Sequence, residues 1–130
     1  MSIESTQRIE IPEGVTRALV VTAHPDDVDF GAGGTVMALV KAGVIVTFCI
    51  CTDGDAGGFD DSTDRSQIPA IRRAEQVAAA AVYGVTDVRF LGYQDGYLEP
   101  SHDLQRDIVR VMRQVQPQLV ITQSPERNWE

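Results

Sequence analysis

His24, Asp26 and Asp27 lie within one short turn, directly after the apolar run Arg17–Ala23. A histidine and a carboxylate three residues on converge when the chain makes a single helical turn, and Pro25 stiffens this one. An imidazole nitrogen and a carboxylate oxygen are two donors of a kind that zinc accepts. Asp26 then projects elsewhere and is left to take a proton from an activated water, as a general base does. Crowded carboxylates beside a histidine, here Asp26, Asp27 and Asp29, are tolerated when a cation neutralises them. The following Phe30-Gly31-Ala32-Gly33-Gly34 lets the backbone pass close to the site before a helix starts. Such a turn is otherwise a phosphate cradle, but the Gly31-x-Gly33-Gly34 spacing departs from the dinucleotide fingerprint and an acidic turn repels phosphate.

The elements that must hold this turn are legible as alternating segments. Arg17–Ala23, Val44–Thr52, Val85–Leu91 and Gln118–Gln123 are apolar and rich in β-branched residues, which predicts strands covered on both faces. Between them, helices are expected at Gly34–Ala42, closed by Gly43, at Ile68–Tyr83, closed by Gly84, and at Leu104–Val115, stopped by Pro117. The second should bury Ile71, Ala74, Val77, Ala78, Ala81 and Val82. The third should bury Leu104, Ile108, Val111, Met112 and Val115, with Ser101 or Asp103 as its N-cap. Strands alternating with helices imply right-handed crossovers. The expected fold is therefore α/β, a Rossmann-like three-layer sandwich with a mainly parallel sheet, truncated after about four strands. In such sheets the working residues gather after the strand C-termini, here 24–34, 53–67, 92–100 and 123–130.

Composition narrows the partners. The 130 residues suffice for one domain, and a net charge of −8 without a Lys/Arg cluster excludes nucleic acid and anionic membrane surfaces as natural partners. No apolar run is long enough for a membrane span, and polar residues 1–10 lack a secretory pattern, which predicts a cytoplasmic protein. Asp60, Asp61 and Asp64 read as a solvated loop. Cys49 and Cys51 on one strand would face the same side with Cα atoms roughly 6.6 Å apart, too far for a normal bridge, and are expected as small core residues.

Ala23-His24-Pro25-Asp26-Asp27, continued by Phe30-Gly31-x-Gly33-Gly34, resembles the signature of the LmbE-like (PIG-L) N-acetylglucosaminyl deacetylase family. The similarity runs on through Thr52-Asp53-Gly54-Asp55, Arg72-x-x-Glu75 with its Ala-rich helix and Gly84-Val85, and Phe90-Leu91-Gly92-Tyr93-x-Asp95-Gly96. The resemblance implies zinc as cofactor, His24 and Asp27 as metal ligands and Asp26 as general base. It also implies Arg72 and Asp95 as contacts to the sugar, and zinc-dependent hydrolysis of an N-acetyl group from an amino-sugar (GlcNAc-type) conjugate. Residue-level alternatives are an exposed helix charge for Arg72 and a turn residue for Asp95.

The third metal ligand of relatives, a histidine in an H-P-D-H-like motif after the fourth strand, has no counterpart here. His102, at an expected helix start, is better read as a surface or capping residue. Residues 1–16 are then an N-terminal lead, and 17–130 the N-terminal part of a single deacetylase domain whose C-terminal part is absent. Such a fragment is expected to be poorly active and to self-associate through an exposed sheet edge at Leu119–Ile121. The alternative to an enzyme is a non-catalytic sugar- or ligand-binding α/β module with a degenerate metal site. A nucleotide-binding domain would need Asp53 as a ribose-binding acid and a different glycine loop.

Overall fold

Residues 10–24, 32–53, 64–94 and 96–123 are described by the computed structural model. Strand β1 (Arg17–Thr22) leads to helix α1 (Gly33–Lys41) and strand β2 (Ile45–Thr52). A short 3₁₀ turn (Arg65–Gln67) opens helix α2 (Ile68–Val82), and strand β3 (Asp87–Tyr93), helix α3 (His102–Val115) and strand β4 (Leu119–Thr122) follow. All pairings are parallel, in the order β3-β2-β1-β4. The α/β fold with a parallel sheet is as the sequence predicts.

Sheet register sorts the side chains into two cores. Ala18 and Val20 of β1, aligned with Val46 and Phe48 of β2, face α1 and α2 together with Ile50. Leu19 and Val21 point the other way with Cys49 and Cys51, where α3 covers them through Leu104, Ile108, Val111, Met112 and Val115. Three layers result, and β1 and β2 are buried on both faces, which is why they read as continuous apolar runs. Cys49 and Cys51 are free, buried thiols, in keeping with their expected core role.

Helix ends follow from local chemistry. Gly84 takes φ 85°, so the chain folds back and the Val85 N–H donates to the Ala80 carbonyl at 2.9 Å. Val85 is thereby buried under the helices, and β3 starts at Asp87, two residues later than the apolar run predicts. At α3 the Ser101 hydroxyl accepts from the Leu104 N–H at 3.1 Å, so Ser101 is the N-cap and Asp103 sits in the first turn. Gln116 turns left-handed (φ 52°) before Pro117, which cannot continue the helix.

The rotation of α2 overturns one expectation. Its buried residues are Ile68, Gln76 and Ala80, while Val77 and Val82 are exposed and Ala74, Ala78 and Ala81 also lie outward. Ile71 alone of the expected stripe is half-buried. Alanine and valine lie nearly all round this helix, so counting apolar residues cannot set its rotation. The packing of Ala80 into the α1-side core does, and it turns Arg72 and Gln76 inward along the same stripe.

β4 lies at one edge of the sheet and alternates half-buried and exposed residues, with Val120 40% exposed on the face opposite α1 and α2. Among the described residues no helix is long and apolar enough to cross a membrane.

Candidate active site

The chain moves outward from β1 to β2 to β3 and then crosses back to place β4 on the far side of β1. The direction of winding thus reverses between β1 and β4, and an open parallel sheet has its crevice at the C-terminal ends of such a pair. His24 stands there, two residues past β1 and half-buried.

Ala23, the residue before His24, is bound from both sides. Ala23 lies beyond the β1 ladder, yet its N–H donates to Oε1 of Gln123, just past β4, at 3.1 Å. Its carbonyl accepts from the Thr52 N–H at 2.9 Å and from Thr52 Oγ1 at 2.8 Å, at the end of β2. The Thr22 hydroxyl donates to the His24 carbonyl at 3.3 Å. Three strands therefore fix the chain at this residue.

Asp53, one residue on from Thr52, is buried, and both its oxygens are held by one guanidinium: Arg73 Nε at 2.7 Å and Nη2 at 3.1 Å. The same guanidinium lies 5.2 Å from the centre of the Phe90 ring on β3. This fork joins the ends of β2 and β3 to α2 and raises the Arg73 pKa, chiefly through the hydrogen bonds to Asp53. With both oxygens occupied, Asp53 is committed to a structural role, which removes it as a ribose-binding acid.

Arg72, the neighbouring residue, is half-buried and forms a 3.8 Å ion pair with Glu75, three residues on along the helix. Asp26, Asp27 and Asp95 lie outside the described residues. His102 is exposed as the first residue of α3. Gly33 opens α1 against the ring of Tyr83: an added Cβ would come within 3.1 Å of Tyr83 Oη, so close packing accounts for this glycine.

His24 is thus the expected metal ligand that the structure positions directly. Other donors nearby are excluded by chemistry. The Cys49 and Cys51 thiols are pushed up to about 12 and about 11, in both cases chiefly by burial, and stay protonated at neutral pH. Among the described residues no group of three His, Cys, Asp or Glu forms a metal cluster. His24 and the carboxylates that follow it in the sequence, Asp26 and Asp27, are nitrogen and oxygen donors of a kind that zinc accepts. Sequence reasoning missed Arg73, Thr52 and Gln123, whose partners are set by strand register and not by any local pattern.

The chain matches the PIG-L family, described as GlcNAc-PI de-N-acetylase, over residues 19–129. It is 39% identical to the probable N-acetyl-alpha-D-glucosaminyl L-malate deacetylase 2 of Bacillus cereus, over 83% of this chain and 51% of that protein. The N,N'-diacetylchitobiose deacetylase of Pyrococcus horikoshii superimposes with a TM-score of 0.86 at 33% identity, covering 91% of this chain and 44% of that one. The 4-carboxy-2-hydroxymuconate hydratase of Pseudomonas putida superimposes with a TM-score of 0.80 at 26% identity, over 88% of this chain and 50% of that one. The chain spans about half the length of these relatives. On its sequence and its fold, the chain belongs to the PIG-L, or LmbE-like, family.

Proposed function

We propose that this chain carries the metal-binding half of a deacetylase that hydrolyses the N-acetyl group of a GlcNAc-type amino-sugar conjugate. The observation that carries the reading is the fixed entry of His24 at the β1/β4 crevice, followed at once by Pro25-Asp26-Asp27. The amino-sugar deacetylases among its relatives support the substrate class.

His24 and Asp27 would hold zinc, with a further ligand expected from the remainder of the domain. Zinc, when bound, supplies a Lewis acid that lowers the pKa of a water and polarises a carbonyl. Asp26 accepts the proton of the attacking water as its oxygen bonds to the acetamide carbon, and returns it to the nitrogen as the C–N bond breaks. Acetate and the free amino sugar leave. Arg72 and Asp95 bind sugar hydroxyls, and the half-burial of Arg72 on the inward stripe of α2 supports its part in this.

Zinc analysis and acetate release, measured on the complete protein and its Asp26→Asn variant, test the reading. The variant should keep its zinc and lose activity by about 100- to 10,000-fold. Intact activity with zinc retained removes Asp26 as the base, and a wild type without zinc sinks the mechanism.

The likeness to a hydratase favours a second reading, in which the same residues deliver water to a carbon–carbon double bond. Loss of an enoate's ultraviolet absorbance, with no acetate released from amino sugars, would select it.

A further inference from the structure

We infer that Thr52 and Gln123 are positioning residues for His24, acting through the Ala23 peptide. This rests on the reading of His24 as a metal ligand. β1 stops pairing as a strand at Thr22. A backbone leaving a ladder ordinarily gives its N–H and C=O to water, and the residue after it wanders accordingly. Here neither group is released. The Ala23 N–H goes to a side chain beyond β4, and the carbonyl takes two donors from Thr52, one of them a hydroxyl. The hydrogen bonding of the sheet is extended by one residue, the one that precedes the imidazole: by the backbone and hydroxyl of Thr52 on the β2 side and by the Gln123 side chain on the β4 side.

The anchor on the β2 side is itself immobilised. Thr52 is fully buried, and the next residue, Asp53, is gripped by the fork of Arg73. Rigidity therefore passes from α2 and β3 through Asp53 and Thr52 to Ala23 and on to His24. On the opposite side Thr122, next to Gln123, donates its hydroxyl to the Val21 carbonyl at 2.9 Å. A metal ligand needs its direction fixed within a few tenths of an ångström, and partners behind a ligand commonly change metal affinity by about 10- to 100-fold.

Thr52→Val is nearly isosteric and removes one donor to the Ala23 carbonyl, Thr52→Ser restores it, and Gln123→Leu removes the acceptor of the Ala23 N–H. The probe is Co²⁺, whose visible absorption reports ligand geometry. Thr52→Val and Gln123→Leu should each weaken Co²⁺ binding by about 10- to 100-fold and shift the bands, and Thr52→Ser should restore both. Affinity within twofold of wild type in both folded variants, with unchanged bands, overturns the proposal. If Thr52→Val does not fold, Gln123→Leu, at a half-buried position past an edge strand, decides alone. If the wild type takes up no Co²⁺, it is the metal reading that fails. Positioning is then decided by hydrogen exchange of the Ala23 N–H in Thr52→Val, whose altered bond is on the carbonyl side. Faster exchange reversed in Thr52→Ser supports it, and unchanged exchange overturns it.

Discussion

Arg73 grips Asp53 through two parallel hydrogen bonds, Nε to Oδ1 and Nη2 to Oδ2, across 20 residues of sequence. The partners are unequally covered: the Asp53 side chain is 11% exposed and that of Arg73 44%. Removing the arginine therefore strands a buried carboxylate, whereas removing the acid leaves a cation that water can reach. Arg73→Met should cost about 2 kcal/mol, between the values for surface and fully buried pairs. Asp53→Asn should cost about half of that, since an amide oxygen still accepts. Urea midpoints of the two variants check the asymmetry, and equal losses would contradict it.

Gly43 and Gly84 have nearly the same φ, 86° and 85°, in different surroundings. A Cβ on Gly43 meets nothing within 4 Å, while one on Gly84 would stand 2.8 Å from Val40 Cγ1. Gly43→Ala should cost about 1 kcal/mol from backbone strain alone. Gly84→Ala should cost about 2–3 kcal/mol, because the clash with a packed valine adds to the strain. Thermal melts of both variants, with Val40→Ala as a partial rescue of the second, measure the difference.

The two thiols make stability fall at alkaline pH. Both pKa values rise on folding, from 9.0 to about 12 for Cys49 and about 11 for Cys51, mainly by burial. The unfolded chain thus loses these protons first. Their contribution is complete below pH 9 and is lost as pH rises through about 11 and about 12. Cys49→Ala should flatten this decline in unfolding free energy between pH 9 and 11. Neither thiol should react with iodoacetamide at pH 8 in the folded state, while both should in urea.

Among the described residues β4 is an edge strand, with Val120 on its α3-side face 40% exposed, and an edge strand pairs readily with another chain. For the 130-residue chain by itself, we expect concentration-dependent association. Val120→Lys should shift light-scattering mass toward the monomer, and an unchanged mass would remove this edge as the contact.

The fold was readable because its signals are local. Apolar runs of strand length, Gly43 and Gly84 past helix ends, and Pro117 before β4 placed each strand and α-helix of the described residues within about two residues of where it lies, and only the 3₁₀ turn at Arg65–Gln67 was not anticipated. Reading failed where a choice depends on distant neighbours. The rotation of α2 is set by Ala80 against the core, which no count of alanines and valines reveals. Of the candidate site, the place of His24 just past the end of β1 was legible in the apolar run that precedes it. Its supports at Thr52, Gln123 and Arg73 were not, because a threonine, a glutamine and an arginine acquire these roles only once parallel register brings them together.

β1 meets β2 through one short crossover, but its pairing with β4 joins residues 101 positions apart. Closing so long a loop is the slow part of folding such a sheet. The β2 wall of the crevice can therefore stand early, whereas the β4 wall with Gln123 must wait for contacts between residues 100 positions apart. His24 is held from both sides only once β4 has docked, so a chain with β4 undocked presents its imidazole on a looser tether.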